Sequence, residues 1–279
     1  MAHCLARLGV QVSLFTIADQ IGLDIINNTF SYLEDKINLR IKRGKQGYNT
    51  AFELLDEVTK LSLSDRGDDS RFGPNIISSE DDLSILKNSV AVCLVDWSSN
   101  ELGTDLADYV FKNSKKALHF IDPGDIQNRE KDVHNLLSVI RDAEGILSLN
   151  ENEFKSILNI LNFDSSFLKA DSEERVQESL KRFTERIGIN IDLHAKEYTA
   201  CSNRNYAAFF PTRKVPIRSL LGAGDSWDAA DILGHLAGLD PKERLIFSNM
   251  YCSLYISNVE SQPATMSDVI QLLIDHDFA

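Results

Sequence analysis

No two of the four cysteines, Cys4, Cys93, Cys201 and Cys252, lie at Cys-x-x-Cys spacing. A zinc ribbon or a secreted disulfide framework is therefore not encoded, and free thiols in a reducing compartment are expected. The six histidines, His3, His119, His134, His194, His235 and His276, lack the spacing of metal ligands, so structural or surface roles are expected of them. No apolar run approaches the roughly 20 residues that cross a bilayer, and no basic leader precedes an apolar core, so the expectation is a cytoplasmic protein with no membrane partner. Positive charge is in short supply: 29 Lys and Arg stand against 42 Asp and Glu, a net charge of −13. A nucleic-acid backbone would be repelled overall, which argues against nucleic acid as a partner. Internal repeats, low-complexity tracts and long linkers are also missing. The 279 residues are 43% hydrophobic and 25% charged, which suits an ordinary globular chain with one large core, so residues 1–279 are expected to form a single domain.

What is present is an alternation of strand and helix patterns. Short apolar runs at residues 10–17, 90–96, 117–121, 146–149 and 189–193 predict strands, and residues 105–111, 133–140, 154–161 and 175–187 carry helical periodicity between them. That order predicts an α/β fold with a mostly parallel central sheet. Residues 37–64 differ, mixing short alternating runs with Gly44, Gly47 and many polar residues, and predict small antiparallel strands.

One segment concentrates the chemistry. Gly222-Ala223-Gly224-Asp225 opens the apolar run Ala229, Ile232, Leu233, Leu236, Ala237. The first turn of a helix has amides without intrahelical partners at the positive end of the helix dipole, and can hold a phosphate without a lysine. Glycines on either side of Ala223 allow close approach of the anion. A carboxylate beside such a site opposes simple anion binding, yet suits a group that takes a proton from an attacking hydroxyl. Upstream, a strand pattern ends in Asp122-Pro123-Gly124-Asp125, and another runs into Asn150-Glu151-Asn152-Glu153. Asn followed three residues later by Glu is by itself an ordinary capping box. Asp96 and Asn100 follow a strand at what should be its carboxyl end, the edge where open α/β sheets bind ligands.

These segments, in this order, resemble the ribokinase or PfkB family of carbohydrate kinases, whose second signature runs roughly Asp-Thr-x-Gly-Ala-Gly-Asp-x-Phe-x-Ala-Gly. The resemblance implies a ribokinase-like three-layer αβα sandwich with a small β lid, formed here by residues 37–64. It implies ATP-dependent transfer of the γ-phosphoryl group to a hydroxymethyl group of a sugar, sugar acid or nucleoside. Asp225 would be the general base, and the amides of Gly222, Ala223 and Gly224 would stabilise the transferring group. Asn150 and Glu153 would hold Mg²⁺ through its waters near the ATP phosphates. Asp192 and Asn249 would lie on the nucleotide side. Asp19, in a segment like the family's Gly-x-Asp-x-x-Gly turn, would join Asp96 and Asn100 near the substrate. Lid strands often pair two family members, so a homodimer is one option that these divergent strands do not specify.

The sequence also departs from the family pattern. The first buried strand, and the Gly-Gly-x-x-Asn segment that grips the sugar, have no counterpart before the helix with which the chain opens. Either the start lies upstream or the lid region has been rebuilt, because loss of a central strand would leave unpaired backbone and an open apolar slot. The Thr-x-Gly-x-x-Gly turn is replaced by Asp192-Leu193-His194-Ala195-Lys196-Glu197, and the usual Gly-Ala is missing near residues 259–261. The alternative is a non-catalytic sugar- or nucleotide-binding protein on a degenerate kinase scaffold.

Overall fold

A computed structural model describes residues 1–53, 60–169, 172–258 and 262–275. Residues 259–261, where a Gly-Ala pair is missing, and His276 lie outside the described residues, as does part of the lid segment.

The chain opens with α1 (Ala2–Arg7), β1 (Val12–Ala18) and α2 (Gln20–Phe30). Next come β2 (Ile37–Arg43), β3 (Tyr48–Glu53) and β4 (Lys60–Asp65). Helix–strand alternation follows through α3 (Glu80–Asn88), β5 (Ala91–Val95), α4 (Gly103–Asn113), β6 (Leu118–Asp122), α5 (Val133–Asp142), β7 (Ile146–Asn150), α6 (Glu151–Ile160), α7 (Glu173–Ile187) and β8 (Asn190–His194). The chain then turns through β9 (Tyr198–Ser202) and β10 (Ala207–Pro211) into α8 (Ala223–Ala237), α9 (Pro241–Ser257) and α10 (Met266–Asp275).

The central sheet runs β10-β9-β8-β7-β6-β5, parallel from β5 to β8 and antiparallel at β9 and β10. Successive strand residues point to opposite faces. Ile121, Leu147, Leu149, Ile191 and Leu193 pack into a core with Leu106, Leu136, Phe154 and Leu180 from α4 to α7. Phe120 and Ile146 point the other way, to Cys4, Ala229, Met250 and Val269 from α1, α8, α9 and α10. Each fully buried side chain of this size contributes on the order of 2 kcal/mol. The result is three layers, helix on sheet on helix. The second face is less apolar than the first, because Ser148 and Asp192 stand on it among hydrophobic neighbours, and both are buried. That polar inlay positions the helix carrying Asp225.

Two features differ from the sequence-based expectation. β2 is not part of an antiparallel lid but pairs in parallel with β1, Val12 opposite Ile37 through Ala18 opposite Arg43. Only β3 and β4 form the expected antiparallel hairpin. The reason is packing: Ile37 and Leu39 turn into a small cluster with Ala6, Val12 and Leu33, which a free lid strand could not reach. Moreover, among the described residues no ladder joins β1 to β5, which ends the six-stranded sheet with Val90 and Val95 exposed at its two ends. No described helix is long and apolar enough to cross a membrane.

Candidate active site

The head of α8 faces the carboxyl ends of β6, β7 and β8. Gly222 caps the helix at φ +81°, a left-handed conformation that costs other residues roughly 1–2 kcal/mol, and a Cβ there would meet the Tyr255 hydroxyl at 2.7 Å. The Ala223 amide donates to Leu220 O (3.2 Å) and the Ser226 amide to Gly222 O (2.9 Å). Among the described residues, the amides of Gly224 and Asp225 have no protein acceptor. The expected three-amide cradle is therefore corrected: Ala223 is committed to the turn, and the unpaired donors at the helix head include Gly224 and Asp225 itself. The Asp225 side chain is 48% exposed, and the α-amino group of Met1 lies 3.0 Å from its Oδ1.

Directly beneath, Asp228 is fully buried, one helical turn on. Its Oδ1 accepts a hydrogen bond from Ser148 Oγ (2.5 Å), and its Oδ2 has no partner. Burial raises the Asp228 carboxyl well above its ordinary range, with the charge of Asp122 adding to the effect. Asp122, at the end of β6, is itself pushed up to about 6 by burial although its Oδ1 accepts the Gly124 amide. A raised carboxyl pKa means that the stability tied to the group is full below the unfolded value and is lost as pH rises through the folded one. Asp122→Asn keeps the amide acceptor and removes that loss. Urea titrations should show the substituted chain more stable at pH 8 by about 1–3 kcal/mol, with a flatter pH profile between about 4 and 6. Parallel profiles for the two proteins would show that Asp122 titrates normally in the fold.

Asn150 and Glu153 sit where expected, at the end of β7 and in the first turn of α6. Their geometry is a reciprocal capping box: Asn150 Oδ1 accepts from the amides of Asn152 (2.9 Å) and Glu153 (3.0 Å), and Glu153 Oε2 accepts from the Asn150 amide (2.9 Å). The Asn150 carbonyl oxygen is thus engaged by the helix. Glu153 is different, since burial, followed by the charge of Asp122, pushes its carboxyl up to about 7. A crowded carboxyl of this kind is one that a hydrated divalent cation would relieve.

The other expected residues divide clearly. Asp192 does not face a nucleotide. Both its oxygens accept from the Arg244 guanidinium at 3.0 Å, and His235 Nε2 lies 3.0 Å from Oδ2. Its place on the α8–α9 face of β8 puts it inside the protein. Asn249 is corrected on the same ground: it is buried, with Oδ1 accepting from Trp227 Nε1 (3.0 Å). Asn100 is buried and engaged in loop structure, donating to Phe72 O (2.7 Å) and accepting from the Leu102 amide (3.0 Å). Asp19 caps α2 through the Gly22 amide (2.9 Å), and the Tyr48 hydroxyl of the lid hairpin lies 3.4 Å from each of its oxygens. That is a structural role, tying the hairpin to the helix start. Asp96 remains near the reacting end. It follows β5 at φ +55°, a left-handed conformation uncommon outside glycine, and accepts from Ser99 Oγ (2.9 Å). Burial raises its carboxyl, with the charges of Arg66 and Asp225 nearby.

Sequence reasoning missed Asp228, Asp231 and Arg244. A signal was available: Asp225, Asp228 and Asp231 recur every third residue along a helix otherwise rich in small apolar residues. Asp192, Asp231 and His235 bring their ligand atoms within 4.8 Å of one another, but the guanidinium of Arg244 already supplies their counter-charge.

The three-layer fold is similar to that of solved ribokinases and adenosine kinases. Ribokinase from Cryptococcus neoformans var. grubii, solved with ADP, superposes with a TM-score of 0.77 at 16% identity, over 98% of this chain and 86% of that one. Ribokinase from Thermotoga maritima gives 0.71 at 17% identity, over 99% and 85%. Adenosine kinase from Trypanosoma brucei brucei gives 0.74 at 12% identity, over 92% and 80%. No family model matches the sequence, and no curated protein is significantly similar to it. The chain has the ribokinase fold.

Proposed function

We propose that this chain is an ATP-dependent phosphotransferase that moves the γ-phosphoryl group to a hydroxymethyl group of a sugar, sugar acid or nucleoside. The observation that carries this reading is the Asp225 carboxylate in the first turn of α8, beside the unpaired amides of Gly224 and Asp225 at the carboxyl edge of a parallel sheet. An acceptor hydroxyl lying against Asp225 would give up its proton as the phosphoryl group arrives, and the amides would hold the phosphoryl oxygens. Asp225 keeps its carboxylate reachable because it is half-exposed, whereas Asp228 and Asp231 are sealed in. Mg²⁺, when bound, would neutralise charge on the phosphates, and Glu153 is the residue that fits its hydration shell. The solved ribokinase with ADP and a related protein from E. coli solved with ATP and Mg²⁺ share the fold and support the choice of donor. A single-domain cytoplasmic enzyme is part of the same proposal.

The test is transfer of labelled phosphate from ATP across a panel of pentoses, hexoses, sugar acids and nucleosides. Product with at least one acceptor, dependent on Mg²⁺, is expected. Binding of an acceptor and of ADP with no product from any member of the panel would instead select the non-catalytic binding protein.

A further inference from the structure

The β3–β4 hairpin carries an apolar face that the phosphotransferase mechanism above does not use. Directly opposed residues of an antiparallel pair share a face, and successive residues alternate. The register therefore puts Tyr48, Thr50 and Phe52 on one face with Leu61, Leu63 and Asp65. Asn49 stands on the other with Ser62 and Ser64, whose hydroxyls donate to Asn49 Oδ1 at 2.6 and 3.0 Å. The polar face is thus satisfied within itself. On the apolar face Tyr48, Phe52, Leu61 and Leu63 are 43, 47, 55 and 60% exposed, although a two-stranded hairpin is at best marginal until its apolar face is covered. Where that face looks is set at its root. The Tyr48 hydroxyl, on this face, lies 3.4 Å from each oxygen of Asp19, the residue that follows β1. Gly47 lies against Asp69, where a Cβ would meet Oδ2 at 2.9 Å, and the Ser70 carbonyl accepts from the Glu101 amide (2.7 Å) in the loop beyond β5. Asp69 senses the charge of Asp96, and Asp96 that of Asp225. The hairpin therefore rises from the edge that holds Asp225, with its apolar face on the side of Asp19.

Charge at that edge narrows the acceptor further. Asp69, Asp96 and Asp225 lie there with Asp122 behind them, and the cations among them are Arg66 and the Met1 amino group. The excess of carboxyl groups opposes the carboxylate of a sugar acid. A free sugar, ringed by hydroxyls, gives an apolar face little to cover. A nucleoside answers both demands, since it is neutral, ends in a hydroxymethyl group and carries a flat aromatic base that packs on aromatic and aliphatic side chains. Resting on the reading of Asp225 as the group that takes the acceptor's proton, we propose that the acceptor is a nucleoside whose base lies against Tyr48, Phe52, Leu61 and Leu63 while its hydroxymethyl group reaches Asp225. The base supplies the apolar cover that the hairpin lacks by itself.

Adenosine, inosine, uridine, cytidine, ribose and gluconate are titrated by calorimetry, with and without a saturating non-hydrolysable ATP analogue that keeps adenosine off the donor side. At least one nucleoside should bind about tenfold or more tighter than ribose, and gluconate should bind most weakly. Phe52→Ala removes a ring that is already half-exposed, so its urea midpoint should match that of the wild type. It should weaken the bound nucleoside about tenfold and change ribose and the ATP analogue by less than about twofold. Phe52→Tyr, which keeps a ring, should recover most of the loss. The proposal is overturned if no nucleoside binds, if ribose or gluconate binds as tightly as the best nucleoside, or if Phe52→Ala leaves nucleoside affinity unchanged or weakens ribose in step. It is also overturned if sedimentation shows a wild-type dimer that Phe52→Ala splits into monomers, because a second copy then covers the face. Phe52-dependent nucleoside binding without transfer to any acceptor would remove the enzymatic reading and leave this one standing, whereas transfer to a free sugar alone would do the reverse.

Discussion

Replacing Arg244 by methionine should destabilise the protein by about 3–5 kcal/mol, enough to unfold a large fraction of it, because it strands a buried carboxylate. The guanidinium is 2% exposed and forks onto both oxygens of Asp192, while its NH1 also reaches Asp231 Oδ1. Burial alone would raise the Asp192 carboxyl. Arg244 and then His235 outweigh it and hold the group well below the ordinary carboxylate range. A depressed pKa contributes stability that is present above the unfolded value and is lost only as pH falls through the folded one, so the pair is intact throughout the neutral range. Asp231 goes the other way, raised by burial and by the charge of Asp192, since two carboxyls share one guanidinium. Methionine keeps much of the arginine stem, which packs against Gly234, where a Cβ would meet Arg244 Cγ at 2.8 Å. The loss is therefore mainly electrostatic. Urea denaturation of the single variant is compared with Arg244→Met combined with Asp192→Asn and Asp231→Asn. The triple substitution should recover more than half of the lost stability. A single variant that loses less than about 1 kcal/mol would show that Asp192 simply takes up a proton when its partner leaves.

The same cluster marks the limit of what the sequence disclosed. Strands β5 to β8 and helices α4 to α7 were legible because they bury continuous apolar runs or clear helical stripes against one core, so local pattern and tertiary position agree. Asn150 and Glu153 were legible as a cap for the same local reason. Asp192 was not. From the chain alone it sits inside the strand pattern at 189–193, where the family resemblance implied a nucleotide-side turn, and only the pairing of β8 with β7 and β9 turns it inward onto Arg244, 52 residues away. β2 was misread as a lid strand because its alternation carries no information about its partner, which is β1 in parallel. Asp228 was passed over although it falls in step with Asp225 and Asp231, because that spacing does not show which acid is sealed in. Its burial against Ser148 of β7 joins residues 80 apart in the chain, which meet only in three dimensions. What remained readable throughout was the turn at residues 222–225, where local backbone demands and chemistry coincide.

Replacing Asp225 by asparagine should lower phosphoryl transfer by about 10²–10⁴-fold, the range general-base catalysis contributes. Asparagine has the same size and can still cap nearby donors, so the turn is kept while the proton acceptor is lost. Stability should change little. The carboxylate is half-exposed, which discounts its part-buried ion pair with the Met1 amino group, and the helix-end charge effect is roughly 0.3–1 kcal/mol. Donor binding should also survive, because the amides of Gly224 and Asp225 are backbone groups that the substitution leaves in place, and removing a negative charge beside them favours an anion. The expected signature is thus a collapse of kcat with unchanged or tighter ADP binding, measured on whichever acceptor the panel identifies. Asp96 is the internal control: it lies near Asp225 but its oxygen is engaged by Ser99, so Asp96→Asn should shift acceptor KM more than kcat. Turnover of Asp225→Asn within about tenfold of the wild type would mean that proton removal falls to another group or to water.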